Sequence, residues 1–246
     1  MRQLPLPVQL RASSVFANFY SGNNTAAVEQ LQNLAPGARQ AALWIYGPDS
    51  VGKTHLLQAV CAESGLRGYS AAYLPLGDGT LTPDFLAGCD RLNFVCLDDF
   101  ERAAGHGDWE RAVFRLYTEL EDSGGRLLIS ARVLPSMLPI ALKDLASRLA
   151  ASAQLKILAL DDTEQCAALT LRAARLGLEL PHDVAQFMVR RLPRDMSSLC
   201  DALDSLDRAS LATQRKLTLP FVRTVLETTR SDPTLNEAEP RTIDDT

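Results

Sequence analysis

The residues best equipped for chemistry stand in one short run: Gly47-Pro48-Asp49-Ser50-Val51-Gly52-Lys53-Thr54, the pattern G-x-x-x-x-G-K-[ST]. Glycines let such a loop curl until successive backbone N–H groups point inward and form an anion nest. A helix that follows presents its positive N-terminal end to the same anion. Lys53 then supplies a mobile cation for β/γ-phosphate oxygens, and the Thr54 hydroxyl suits a Mg²⁺ ion bound with them. The expected ligand is a nucleotide polyphosphate. The structural alternative is a plain glycine turn between a strand and a helix, with Lys53 at the surface.

Other residues fit the same chemistry. Asp98-Asp99 ends the apolar run LNFVCL. An acid at the carboxyl end of a buried strand is the Walker B arrangement, in which Asp98 holds Mg²⁺ through water and Asp99 orients or deprotonates an attacking water. The alternative is a cap for the next helix. Ser130, ending RLLIS, is placed to hydrogen-bond a γ-phosphate or the water that attacks it. Arg194 heads a helix, where the dipole disfavours a cation unless an anion compensates; a nucleotide phosphate or a neighbouring carboxylate would serve. Arg148, read from its position alone, is a surface cation at a helix end, where the dipole favours it.

These residues need a scaffold. Strands are expected at 43–46, 71–76, 92–97, 126–130 and 154–160, alternating with helices after the loop, before Gly124-Gly125 and at 141–149. Such alternation gives an α/β fold, a parallel sheet with helices on both faces and its strand ends converging on the phosphate loop. From Asp161 the pattern is helical only. A D-x-x-E cap opens one helix that stops at Gly177, Pro181 opens the next, Asp195 a third and Thr218-Leu219-Pro220 a fourth. The expected organisation is an N-terminal peptide at 1–12, a nucleotide-binding α/β domain at 13–160, a helical lid at 161–230 and a disordered acidic tail at 231–246. The peptide MRQLPLPVQLRA reads either as a tail or as a linear docking motif. In the second case Gln3 offers amide hydrogen bonds, and Leu4 and Leu6 offer apolar anchors.

Composition narrows the partners. The net charge is −5, but the last sixteen residues hold five acids and one Arg, so the rest is close to neutral. No broad basic footprint for nucleic acid exists. Five scattered cysteines without C-x-x-C spacing read as buried thiols in a reducing cytosol, and three separated histidines (His55, His106, His182) give no zinc pattern. Without a long apolar run or a signal core, the expectation is a cytoplasmic protein that uses no membrane.

The joint pattern of FANFYSGNN, GKTHLL at 52–57, Asp98-Asp99, DLASRL at 144–149 and the lid resembles the AAA+ core of the bacterial initiator DnaA. QLPLPV and the lid phrase LDRASLATQRKLTLPFV resemble a narrower group, the regulatory inactivators of DnaA, or Hda family. The resemblance covers about residues 2–229. It implies that Gln3, Leu4 and Leu6 bind the DNA polymerase III β sliding clamp. Gly47, Ser50, Val51, Gly52, Lys53, Thr54 and His55, with Asp98, would hold ADP or ATP, with Mg²⁺ on Thr54 and Asp98. Ser130 would be sensor 1 and Arg194 sensor 2. Arg148 would be an arginine finger delivered to a neighbouring subunit. The implied partners are DnaA, the clamp, DNA only indirectly through the clamp, and a second copy of the chain. The implied function is a regulator of replication initiation that stimulates DnaA's ATPase, its own ATPase being slow or absent. Two features depart from the family: the intact GKT and paired aspartates, and Ser130-Ala131-Arg132, which lacks the Asp usual there in initiators. Some sixteen residues remain after the lid, too few for the initiator's helix-turn-helix domain. The alternative functions are an AAA+ remodeller or helicase loader working on its own ATP, and a phosphotransferase of the P-loop type.

Overall fold

Five short, largely apolar runs become β1 (Ala42–Tyr46), β2 (Ala71–Pro75), β3 (Phe94–Asp98), β4 (Arg126–Ala131) and β5 (Ala153–Lys156) in the computed structural model, which describes residues 14–37 and 41–231. They form one sheet in the order β2-β3-β4-β1-β5, every pair parallel. Parallel neighbours need long crossovers. These run through α2 (Lys53–Leu66) after β1, α3 (Gly107–Ser123) after β3 and α4 (Lys143–Ala151) after β4, while α1 (Thr25–Gln32) precedes the sheet.

Alternation along the strands divides the core into two layers. Trp44, Val95, Leu97, Leu127 and Ile129 pack with Val113, Leu116 and Leu120 of α3 and Leu145 and Leu149 of α4. Leu43, Ile45, Phe94, Cys96 and Leu128 pack on the opposite face, with Val28 and Leu31 of α1 and Leu56, Leu57 and Val60 of α2. Both faces are therefore covered, as the α/β pattern requires.

Several boundaries differ from the expected ones by a residue or more, two of them for identifiable reasons. The fifth strand stops at Lys156 rather than 160, because β1 ends opposite it at Tyr46 and turns into the phosphate loop. The Ile157 N–H still reaches the Tyr46 carbonyl at 2.7 Å, and then Leu158 finds another partner: the Asn24 amide donates to its carbonyl at 3.0 Å and accepts from its N–H at 2.7 Å. Helix α4 begins at Lys143 rather than 141. The amides of Ala141 and Leu142 are taken by the buried Glu110 carboxylate, which holds this stretch extended ahead of the helix.

The chain divides into two compact units between Asp161 and Asp162. The second consists of α5 (Asp162–Arg175), α6 (His182–Arg191), α7 (Met196–Thr213) and α8 (Leu219–Ser231). Its own core gathers Leu169, Val184, Met188, Leu199, Leu203, Leu206 and Val222. Asp195 caps α7 by accepting from the Ser198 N–H at 2.8 Å, and Arg172 of α5 grips both carboxylate oxygens of Asp204 of α7 at 2.9 and 2.7 Å. The N-terminal peptide with Gln3, Leu4 and Leu6 lies outside the described residues, as does the tail beyond Ser231. No helix among the described residues is long and apolar enough to cross a membrane.

Candidate functional site

The parallel register brings the chemistry-bearing residues to one edge of the sheet. Ile45 pairs with Ser130 and Tyr46 with Ala131, so the loop that follows Tyr46 starts beside the carboxyl end of β4. β3, ending in Asp98, runs along the other side of β4. Gly47 has no room for a side chain: a Cβ there would stand 2.3 Å from the Ile157 carbonyl oxygen. Gly52 adopts φ +97°, and a Cβ would meet the Phe19 ring at 2.6 Å. Ser50 also lies in the left-handed region, at φ 58°. The loop is thus tightly curled, with the N-terminal segment packed against it.

Lys53 is buried, and its Nζ donates to the carbonyls of Gly47 and Pro48 at 2.8 and 2.7 Å. Burial lowers its pKa, opposed by the negative charges of Asp49, Glu101, Asp99 and Asp98. The buried Asp98 collects three hydroxyl donors. Thr54 Oγ1 and Tyr73 OH each reach its Oδ2 at 2.7 Å, and Ser130 Oγ donates to its Oδ1. Burial, and then the Asp98 charge, raise the Tyr73 pKa, so Tyr73 remains a donor. Asp99 is half-buried in a left-handed conformation, φ 58°, with its N–H donating to Ser130 Oγ at 3.1 Å. Burial raises its pKa, as do Asp98 and Glu101, while Lys53 and Arg132 act in the other direction.

Ser130, Asp98, Asp99, Lys53 and Thr54 are therefore brought together. His55 points elsewhere: its Nε2 lies 2.9 Å from the Val15 carbonyl and its ring packs on Phe19 at 5.5 Å between centroids. The aromatics ahead of the loop divide likewise, Phe16 entering the core beneath the sheet and Phe19 covering Gly52. Arg194 belongs to the second unit, exposed between α6 and α7, with its carbonyl accepting from Gln165 Nε2 at 3.3 Å. Arg148 stands on α4. Its guanidinium pairs with Glu121 of α3 at 2.7 Å and lies over the rings of Phe114 and Tyr117, 5.5 and 5.2 Å from their centroids. With 38% of its side chain exposed it is accessible from solvent, and the hydrogen bond to Glu121 holds its pKa above the ordinary value.

Four contributors escape the motif pattern. Tyr73 anchors Asp98, Asn24 clamps Leu158, Glu110 secures the entry to α4, and Arg132 pairs with Asp49 and Glu101. Glu110 did leave a trace, since it falls on the apolar stripe of α3 three and seven positions before Val113 and Tyr117. Among the described residues no group of three or more His, Cys, Asp or Glu is disposed to hold a metal ion. A divalent ion at Thr54 and Asp98 would depend on phosphate oxygens for its remaining ligands.

Residues 162–226 match the family described as "Hda, lid domain". The whole fold is similar to domain III of the Thermotoga maritima replication initiation protein DnaA: TM-score 0.74 and 20% identity, over 90% of this chain and 98% of that one. It is also similar to AMPPCP-bound DnaA from Aquifex aeolicus, with TM-score 0.66 and 22% identity, over 80% of this chain and 65% of that one. The Thermotoga maritima RuvB Holliday junction branch migration motor matches at TM-score 0.62 and 13% identity, over 88% and 74% of the two chains. What these structures share with the chain is the fold.

Proposed function

We propose that this chain, whose residues 162–226 match the Hda lid domain and whose fold is similar to domain III of DnaA, is a DnaA-related regulator of replication initiation that binds an adenine nucleotide and activates DnaA's ATPase in trans. The observation that carries the reading is the placement of Arg148, a half-exposed guanidinium of α4 held against one flank of α3. It is neither buried nor committed to an interior carboxylate. Exchange of the solvent-facing Glu121 for a phosphoryl group held by DnaA requires no rearrangement of the core. Such a finger neutralises charge on the phosphoryl in transit and contributes about 10³–10⁵ in rate for the class.

The chain's own nucleotide site fits ADP or ATP. Gly47 and Gly52 let the loop pack closely on Ile157 and Phe19, Lys53 offers an ammonium, and Thr54 beside Asp98 offers a hydroxyl and a carboxylate for Mg²⁺. Gln3, Leu4 and Leu6 would bring the chain to the sliding clamp on DNA, and thereby to DnaA. Arg194 of the lid would act as sensor 2, and Ser130 as sensor 1. Self-association as a homodimer belongs to the same scheme.

The test is Arg148→Ala in the full chain, assayed for DnaA ATP hydrolysis in the presence of clamp loaded on DNA. We expect nucleotide and clamp binding to persist while stimulation of DnaA is lost. Undiminished stimulation would remove the finger role. Deleting residues 1–8 should abolish capture on immobilised clamp; retained capture would move that contact elsewhere. The second reading, a remodeller that works on its own ATP, is favoured by the complete loop and by Asp99 beside Ser130. Rapid ATP turnover by the isolated chain would select it.

A further inference from the structure

Arg132 follows the last residue of β4 and carries no role in the phosphate-loop scheme. Its guanidinium crosses from the sheet edge to the loop. Nε lies 2.8 Å from Oδ1 of Asp49, the third residue of the loop, and 3.1 Å from Oε1 of Glu101, three residues beyond Asp98. It therefore spans the two walls of the cradle, the loop on one side and the carboxyl ends of β3 and β4 on the other. Unlike Lys53, it is open to solvent, with 54% of its side chain exposed. Glu101 is mostly covered, its side chain 18% exposed, and its carboxylate oxygens have no hydrogen bond beyond this ion pair.

Charge makes this cation consequential. Asp49, Asp98, Asp99 and Glu101 all act on the Lys53 ammonium, and Arg132 acts on Asp99. Four carboxylates and two cations thus act within the cradle, so each further phosphoryl on a ligand adds negative charge that a cation at its side must offset. Lys53 is buried and already donates to two carbonyls, whereas Arg132 is held by carboxylates at the open side. An arginine there has donors in a planar fork suited to phosphate oxygens.

We propose that Arg132 is a specificity residue acting within its own subunit. Its guanidinium leaves Asp49 and Glu101 for the terminal phosphoryl of a nucleoside triphosphate, and the chain thereby distinguishes triphosphate from diphosphate. This rests on the nucleotide-binding reading above. The competing role is a purely structural clasp that neutralises Asp49 and Glu101, which would serve both nucleotides alike.

The experiment is calorimetric titration of the full chain with ADP and with the non-hydrolysable triphosphate AMPPNP, both with Mg²⁺, for wild type, Arg132→Ala and Arg132→Lys. The Ala variant should lose about tenfold in affinity for the triphosphate and about twofold or less for ADP, as expected for one charge-assisted contact. Lys, a point charge without the fork, should restore only part of the loss. Equal losses for the two nucleotides, or no loss for either, would overturn the proposal while leaving nucleotide binding intact. A wild-type chain that binds neither nucleotide would overturn the nucleotide-binding reading and this proposal with it.

Discussion

Glu110 holds the approach to the helix that bears Arg148, and its removal should be costly. Its side chain is buried at 1% residual exposure, with Oε1 accepting from the N–H groups of Gly105 at 2.7 Å and Ala141 at 3.1 Å, and Oε2 from Leu142 at 2.8 Å. Glu110→Ala leaves three amides without an acceptor. Each costs about 1–3 kcal/mol if kept dry, and because water can reach the exposed Gly105 and Ala141 the low end applies, about 3 kcal/mol in all. Glu110→Gln keeps one acceptor oxygen and turns an NH₂ toward the remaining amide, so about half of that loss is expected. Burial by itself would raise the Glu110 pKa, but the amides of Leu142, Ala141 and Gly105, with the nearby His106, outweigh it and hold the carboxyl below its ordinary value. The stability this carboxylate adds is therefore present above the unfolded value and is lost as pH falls through the lower folded one. Both tryptophans, Trp44 and Trp109, belong to the first unit, so urea unfolding followed by their fluorescence reports on it directly. An Ala variant within about 0.5 kcal/mol of wild type, the range of an ordinary surface substitution, would refute the reasoning. So would an Ala-to-wild-type gap that does not narrow in acid.

Two further outcomes follow from the cradle. Gly47→Ala should abolish nucleotide binding in the same titrations, since its methyl would sit 2.3 Å from a backbone oxygen that cannot swing aside; unchanged affinity would contradict that. Tyr73→Phe removes one of three donors on Asp98 and should cost about 1 kcal/mol in urea unfolding, with Thr54 and Ser130 still in place. A neutral result there would mean that Asp98 does not depend on Tyr73.

Sequence reading succeeds here where chemistry and geometry share a local cause. The loop is bounded by glycines that only a tight curl explains, and Asp98 sits at the end of an apolar run, so strand, loop and acid could be placed together. The strand ends were harder. β5 stops where its neighbour stops, and β1 stops because it becomes the loop, a fact about pairing that residues 154–160 do not carry by themselves. Long-range polar contacts were invisible for the same reason. Asn24 and Leu158 lie 134 residues apart, and Arg132 reaches acids on two other segments. Glu110 is the instructive intermediate case: an acid on an apolar helical stripe signals that something buried needs it, without naming the amides concerned.

The clamp around the start of the chain has a mechanical side. Val15 meets His55 on the first turns of α2, Phe19 rests on Gly52, and Asn24 grips Leu158 just ahead of the junction with the second unit. Tension applied to the chain before Ser14 would not be dissipated along a loose strap. It would arrive at the floor of the phosphate cradle and at Leu158 together, within eleven residues of backbone from Ser14 to Asn24.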